Sequence, residues 1–275
     1  MIPISQLLYG LKKYKLKSII SNIFSIYVSD YVIVSFQKCG KTWLRMMLSR
    51  VLSEKFNIKK IMLDLQYMTL FKKGAPNILI SHGGSIKDNN NINFQKIFKN
   101  KKIIFLVRDP RDIVVSLYHG SRTRDKTYDG GNISTFIGDG NSGFSKIINF
   151  MNAWANDLQN RNRDNYIIIK YENLKKDAAR ELRRIFNFME LDIEDHYLHE
   201  AVNYGSFDNM RKLEVQQEIK DYRMLPGNLN DPNSFRTRKG KIGSHKEELS
   251  IEDIGYINQE MLNLNPFFGY LANEN

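Results

Sequence analysis

The sequence predicts an α/β protein with a central, mostly parallel sheet flanked by helices. Short runs rich in Ile and Val alternate along the chain with segments of helical spacing. This alternation is typical of a parallel sheet covered by helices on its faces. In addition, two apolar runs lead into a basic turn that opens a helix, at Val32–Trp43 and Ile103–Ser116. With 275 residues the chain is long enough for one full α/β core.

Four runs are expected to form the strands of this sheet. They are almost continuously apolar, as strands buried on both faces are. The predicted strands are Tyr31–Ser35, Asn77–Ser81, Lys102–Val107 and Tyr166–Lys170.

Helical spacing of apolar residues predicts the segments that cover the sheet. Asp109 and Pro110 mark the start of one helix, because Asp is a favoured N-cap and Pro fits the first helical position. The predicted helices are Thr42–Phe56, Pro110–Ser121, Phe144–Gln159 and Lys175–Met189.

Two long segments are predicted as loops, at Thr123–Gly143 and Leu225–Ser244, because both combine glycines with short polar residues. Long loops within a compact domain are usually lids, binding loops or disordered segments. The sequence contains no internal repeat and no linker that separates two domains. The expected organisation is an N-terminal helical segment over residues 1–30 and one domain over residues 31–275.

The net charge of +11 favours anionic partners without choosing among nucleic acid, acidic lipid and a phosphorylated small molecule. The single cysteine, Cys39, excludes an internal disulfide and a cysteine-based metal cage. No secretory signal and no apolar run long enough to span a membrane is recognisable, so a cytoplasmic location is expected. The basic stretch at residues 11–17 is interpreted as a surface helix, with weak contact to a membrane surface as the alternative.

The first basic turn, Lys38–Thr42, has the composition of an anion site. Gly40-Lys41-Thr42 matches the end of a Walker A loop, although Ser35 stands where that motif begins with glycine. Backbone N–H groups and the positive end of the helix dipole meet at such a turn. The domain is therefore expected to be P-loop-like, and a kinase or nucleotidase that uses ATP remains an alternative.

A second pattern overlaps this turn. Cys39 and Arg45 have the spacing of a cysteine phosphatase loop, in which a thiolate attacks phosphorus. The helix that includes Trp43 is expected to carry Arg45 away from the thiol, which disfavours this chemistry. A depressed pKa of the Cys39 thiol is nevertheless expected from the helix start and the two flanking lysines.

The second basic turn brings Arg108 and Ser116 to the end of one strand and the following helix. A guanidinium and a hydroxyl together suit one phosphate group. The alternative is that Arg108 and Arg111 pair with Asp109 and Asp112 at the surface. Both turns together predict a ligand with negative charge at both ends.

These residues resemble the sulfotransferases that use 3′-phosphoadenosine 5′-phosphosulfate (PAPS). The family's Pro-Lys-Ser-Gly-Thr-Thr-Trp turn is similar to residues 37–43, and its Arg-Asp-Pro-Arg-Asp-x-x-x-Ser motif matches residues 108–116 throughout. The family's Arg-Lys-Gly-x-x-Gly-Asp-Trp motif resembles residues 238–245, with Ser-His in place of Asp-Trp. Tyr171-Glu-Asn-Leu and Ser206-Phe207 resemble two further segments near the nucleotide.

The resemblance implies which residues would bind the donor PAPS, with no metal required. Lys38 and the backbone amides of Cys39, Gly40, Lys41 and Thr42 would hold the 5′-phosphosulfate, with Lys41 in place of a family Thr. Trp43 and Tyr171 would flank the adenine, with Ser206 and Phe207 near the nucleotide. Arg108, Ser116, Arg238, Lys239 and Gly240 would hold the 3′-phosphate.

The resemblance also implies that His82 is the catalytic base, because it follows a predicted strand where the family has its histidine. A histidine that ends a parallel strand lies at the edge of the sheet where ligands bind, and a strand-end histidine with a structural role is the alternative. Lys38 would stabilise charge on the transferred group. The expected acceptor is a hydroxyl or amine of a small molecule, with a glycan as the second choice.

A polyanion-binding module remains a non-enzymatic alternative, although no motif for a specific nucleic acid is recognisable. The acceptor's identity, the choice between O- and N-sulfation and the oligomeric state are not readable from the sequence.

Overall fold

A four-stranded parallel sheet organises the molecule in the computed structural model, which describes residues 23–84, 93–140 and 143–272. The strands are β1 (Tyr31–Val34), β2 (Ile78–Ser81), β3 (Lys102–Val107) and β4 (Tyr166–Lys170). Their order across the sheet is β2-β1-β3-β4, and every neighbouring pair is parallel. The predicted fold class is confirmed.

The helices lie between and after the strands. The longest are α1 (Lys41–Lys55) and α6 (Phe144–Gln159), which begin after β1 and before β4. The others are α2 (Leu65–Thr69), α3 (Phe94–Ile97), α4 (Pro110–His119), α5 (Ile133–Gly138), α7 (Tyr171–Lys176), α8 (Ala178–Phe188), α9 (Asp195–Tyr204), α10 (Phe207–Gln216), α11 (His245–Glu248) and α12 (Ile251–Met261).

Short turns of other helical types complete the described chain. A π-helical turn, Gly120–Arg124, continues directly from α4. Turns of 3₁₀ type lie at Arg163–Asn165, Tyr222–Met224, Pro232–Ser234 and Pro266–Phe268.

The core is formed by the central strands β1 and β3 and the helices packed on them. Val32, Ile33 and Val34 are completely buried, which explains why these strands read as continuous apolar runs. The ring of Phe105 on β3 stacks against Phe268 with ring centroids 5.1 Å apart. This packing fixes the strand ends, where the basic turns begin.

Several predicted boundaries differ from the structure. The predicted helix over Lys175–Met189 is two helices, because Asp177 ends α7 in an extended conformation and caps α8 with its side chain. The helix predicted over Pro110–Ser121 ends at His119, where the π-helical turn begins.

The segment Thr123–Gly143 is not one long loop. It contains the end of the π-helical turn and α5, whose first turn is capped by the Asn132 side chain. Short polar residues at turns and caps dominate this segment, so its composition resembled a loop.

Only part of the predicted N-terminal helical segment lies within the described residues. Residues 1–22, with the basic stretch at 11–17, lie outside the described residues, and residues 23–28 are helical. Across the described ranges, no helix has the length and apolar character needed to cross a membrane.

Candidate active site

A cavity of about 1160 Å³ opens where the sheet's basic turns meet. Sites for one small ligand measure roughly 300–1,000 Å³, so the volume of this cavity lies slightly above the upper end of that range. It is lined by both turns, by the residue after β2 and by the segment before α11. Predicted site residues at its wall are Lys38, Gly40, Lys41, Thr42, Trp43, His82, Arg108, Ser116, Tyr171, Ser206, Phe207, Arg238, Lys239 and Gly240.

The turn between β1 and α1 depends on the left-handed conformation of Gly40, whose φ is +88°. A Cβ at this position would lie 2.7 Å from the Tyr171 ring, so the close approach of the turn to that ring also requires glycine. Gly40 caps α1, whose first residues, Lys41 and Thr42, line the cavity. The N–H groups of this first helical turn therefore lie where an anion is favoured.

Cys39 differs from the expectation of an acidic thiol. Its side chain is buried in the core, and it is the one member of the predicted turn that does not line the cavity. Burial raises the pKa of the Cys39 thiol to about 12, which outweighs the opposing effect of Arg108 and Lys41. A thiolate nucleophile is thus excluded, and only the Cys39 backbone amide stays a predicted ligand group.

The ammonium of Lys38 is enclosed by the π-helical turn. It lies against Gly120, where a Cβ would collide with it, and 3.7 Å from the Asp125 carboxylate. Burial, followed by repulsion from Arg124, lowers the pKa of Lys38 to about 7. The cavity wall thus includes a lysine whose pKa lies near neutral pH.

Arg108, in the second turn, is held in place by contacts with several other segments. Its guanidinium donates to the backbone oxygens of Lys38 and Lys241, at 3.3 and 3.1 Å, and lies 4.4 Å from the Tyr171 ring centroid. It also pairs with Asp112 at 3.2 Å. The pairing given as the alternative for this turn is present, since Arg111 also pairs with Asp109 at 2.7 Å, but both arginines are buried and not at the surface.

Asp112 connects the second turn to the segment before α11. Its carboxylate accepts hydrogen bonds from the backbone N–H groups of Gly243 and His245, from the Ser244 hydroxyl and from the His245 ring. Burial would raise the pKa of Asp112, but His245, Arg108 and these N–H groups hold it well below its usual range. Ser244 and His245, which replace the family's Asp-Trp, thus bind a carboxylate one helix turn beyond Arg108.

Glu248 on α11 orients two of the predicted 3′-phosphate ligands. It accepts hydrogen bonds from Arg238 at 2.8 Å, and it pairs with Lys239 at 2.8 Å and with the His119 ring. Burial would raise the pKa of Glu248, but the hydrogen bonds from Lys239, Arg238 and His119 hold it at about 2. Arg238 and Ser116 both line the cavity, and Gly240 packs against the Phe207 ring.

Two aromatic rings expected at the adenine form one wall. The Trp43 and Tyr171 rings meet edge to face with centroids 5.8 Å apart. The Trp43 indole donates to the Gly205 backbone oxygen at 2.7 Å, which fixes its orientation. Ser206, next in sequence, caps α10 by accepting from the Asn209 N–H.

His82 lies at the carboxyl end of β2, exposed to the cavity. The Lys41 ammonium lies 2.9 Å from its Nδ1 and donates to the Ser81 backbone oxygen at 3.2 Å. Because an ammonium has no acceptor, the Nδ1 atom of His82 accepts in this contact, and its proton is on Nε2 when the ring is neutral. The following residue is fixed by the buried Trp154, whose indole donates to the Gly83 oxygen at 2.9 Å.

Sequence reasoning missed four polar residues of the site. Asp112 and Glu248 accept hydrogen bonds from Arg108 and Arg238 and so hold these two side chains in position. Arg124 and Arg236 line the cavity beside Lys38. The sequence does mark Asp112, because it is the last residue of the Arg-Asp-Pro-Arg-Asp motif. Arg124 and Arg236 come together only through the tertiary fold.

Comparisons with known proteins point to one family. The model of the sulfotransferase domain family matches residues 28–262. Rat sulfotransferase 2A1 is 26% identical over 259 residues, which cover 88% of this chain and 86% of that protein. Rabbit amine sulfotransferase is 22% identical over 256 residues, 83% of this chain and 78% of the relative.

Solved structures support the fold. A mouse sulfotransferase, SULT7A1, crystallised with PAP, has a TM-score of 0.61 at 18% identity and covers 87% of each chain. A retinol dehydratase crystallised with androsterone and PAP has a TM-score of 0.62 at 15% identity, over 85% of this chain and 80% of that one. The chain belongs to the sulfotransferase domain family.

Proposed function

We propose that the chain transfers a sulfuryl group from PAPS to a hydroxyl or amine of a small-molecule acceptor. One observation carries this proposal: a single cavity joins the Lys38 turn, the Arg108–Ser116 turn and His82. The volume of this cavity is consistent with a donor and an acceptor together. One relative is an amine sulfotransferase, and a retinol dehydratase of similar fold was crystallised with both androsterone and PAP.

The residues present fit the two anionic ends of PAPS. The close approach at Gly40 leaves the start of α1 open for the 5′ end, with Lys38 beside it. Arg108, Ser116 and Arg238 would bind the 3′-phosphate, and the buried Nε atom of Arg108 has no hydrogen-bond partner among the described residues. Trp43 and Tyr171 supply the aromatic surface expected for the adenine between these ends.

PAPS supplies an activated sulfuryl group, so the protein's task is to position the acceptor and stabilise charge. Lys38, as the ammonium, stabilises negative charge on the transferred group and on the departing phosphate. His82 removes the acceptor's proton. Because Lys41 engages His82 Nδ1, His82 acts as base through Nδ1 after Lys41 turns toward the anion.

A substitution tests this role of His82. With labelled PAPS and a panel of phenols, alcohols, amines and saccharides, we expect His82→Ala to lower kcat by about 10²–10⁴-fold, the usual contribution of a general base. Its affinity for adenosine 3′,5′-bisphosphate (PAP) should stay close to that of the unmodified protein, because His82 lies outside the phosphate-binding turns. His196→Ala, on the exposed side of α9, is the matched control. Near-normal turnover by His82→Ala would show that another group is the base.

The competing assignments predict different ligands. A kinase or nucleotidase would bind ATP with magnesium in preference to PAP, and a polyanion-binding module would be indifferent to PAPS. Within the described ranges, no group of three or more His, Cys, Asp or Glu side chains could hold a metal ion. The cytoplasmic location and the N-terminal membrane contact stay predictions.

A further inference from the structure

A second cationic group lies at the ammonium end of Lys38, away from Arg108. Arg124 extends over the same glycine, Gly120, that Lys38 contacts, and it pairs with Asp125 at 3.1 Å. Arg236 lines the same part of the cavity, and its charge interacts with those of Arg124, Asp125 and Lys38. We name Arg124, Arg236 and Asp125 the Arg124 cluster. Asp125 pairs with Lys38 and Arg124, and its charge also interacts with that of Arg236.

Besides Arg108, two guanidinium groups at the cavity wall have a buried Nε atom that makes no hydrogen bond to the described residues. The Nε atoms of Arg236 and of Arg45, both from residues at the cavity wall, are buried and have no hydrogen-bond partner in the described part of the chain. Arg45 is only 9% exposed. Burial lowers the pKa of each guanidinium to about 10, with repulsion from a neighbouring arginine as the next cause. A buried guanidinium N–H without a hydrogen bond is costly, so an anion that binds beside such a group gains a strong interaction.

The wall around this cluster is built and held in place. Gly227 packs against the Arg124 backbone so closely that a Cβ would lie 2.7 Å from the Arg124 Cα. The Thr123 hydroxyl donates to the Asn233 oxygen at 3.0 Å, which ties the π-helical turn to the segment that precedes Arg236. Leu225 and Phe235 add apolar surface to the same wall. The cluster thus lies beside the Lys38 ammonium, in a wall that contacts between distant segments hold in place.

We propose that the acceptor carries an anionic group, such as a carboxylate or a sulfonate, which Arg236 and Arg124 bind while the acceptor's hydroxyl or amine lies near Lys38 and His82. This inference rests on the proposed function and names the substrate class for the same site. A neutral, apolar acceptor would desolvate Arg124 and Arg236 with no counter-charge beyond Asp125 and Glu214. An anionic acceptor satisfies the unpartnered Nε of Arg236 and offsets the repulsion between Arg124, Arg236 and Lys38.

Calorimetric titration of the PAP-saturated full chain tests this inference, because PAP then occupies the donor's phosphate-binding turns. The probes are 4-hydroxybenzoate and 4-hydroxybenzenesulfonate, compared with the uncharged 4-hydroxybenzyl alcohol. We expect at least one anionic probe to bind about tenfold or more tightly than the alcohol, which corresponds to one charge-assisted hydrogen bond. Arg236→Gln should remove most of this preference, and Arg236→Lys should keep part of it. Arg163→Gln, at an exposed site outside the cavity, is the matched control.

Two outcomes would overturn the inference: no preference for either anionic probe by the unmodified protein, or an unchanged preference in Arg236→Gln. The titration with PAP alone, carried out before the probes are added, tests a separate point. Failure to bind PAP would contradict the proposed function, whereas PAP binding without an anion preference would contradict only this assignment of the acceptor. PAP affinity also reports whether each variant retains the folded site.

Discussion

Lys38 shows how the tertiary fold converts a motif residue into a titrating group. The sequence marks it as a charge at an anion site, but its enclosure by the π-helical turn follows from the position of Gly120. Burial and Arg124 together lower the pKa of Lys38 to about 7. A dianionic ligand favours the charged ammonium, so binding of the donor is expected to raise this pKa again.

The affinity for PAP should therefore depend on pH through Lys38. The ammonium is present below pH 7 and is lost as the pH rises, so PAP binding should weaken by about tenfold between pH 7.5 and 9, where each phosphate is already fully ionised. Titration calorimetry across this range measures the effect. Lys38→Arg should show little change, because a guanidinium stays charged throughout. A flat profile for the unmodified protein would contradict the lowered pKa.

At the scale of elements, the site depends on contacts between segments distant in sequence. Asp112 on α4 binds the segment from Gly243 to His245, and Glu172 on α7 accepts from the Asp109 N–H at 3.0 Å. The first contact positions Arg108 and the Arg238–Gly240 segment in one cavity. The second fixes the start of α4, so that Ser116 lies about two turns along it.

Replacement of Asp112 should destabilise the protein as well as weaken the site. Asp112→Asn leaves Arg108 buried without its counter-charge, and we expect a loss of about 3 kcal/mol in the free energy of unfolding. Because the folded pKa of Asp112 is depressed, its contribution is complete above pH ~4 and is lost as the pH falls below that value. Denaturant unfolding at pH 7 and at pH 3 measures both effects.

The exposed Asp164→Asn is the matched control for Asp112→Asn, and it should change stability by less than about 0.5 kcal/mol. Equal stability of Asp112→Asn and the unmodified protein at pH 7 would contradict the structural role of this carboxylate.

At the scale of the whole molecule, the local signals in the sequence account for the sheet and its basic turns. Runs of apolar residues and the Asp109–Pro110 cap are properties of short segments, so β3 and the start of α4 were predictable. The burial of Cys39 and the assembly of Arg124 with Arg236 depend on packing between distant segments. No local pattern encodes such contacts, which is why the thiol prediction was wrong and the cluster was missed.

The central claim is that one cavity binds a nucleotide by both of its phosphate ends. Titration calorimetry with PAP and with adenosine 5′-phosphate, both without magnesium, tests it most directly. We expect PAP to bind about a hundredfold more tightly, because charge-assisted hydrogen bonds to the 3′-phosphate each contribute roughly 1.5–3 kcal/mol.

Arg108→Gln should remove most of this advantage and Ser116→Ala a smaller part, while the affinity for adenosine 5′-phosphate stays nearly constant in both variants. Equal binding of the two nucleotides by the unmodified protein, or an undiminished preference for PAP in Arg108→Gln, would contradict the account.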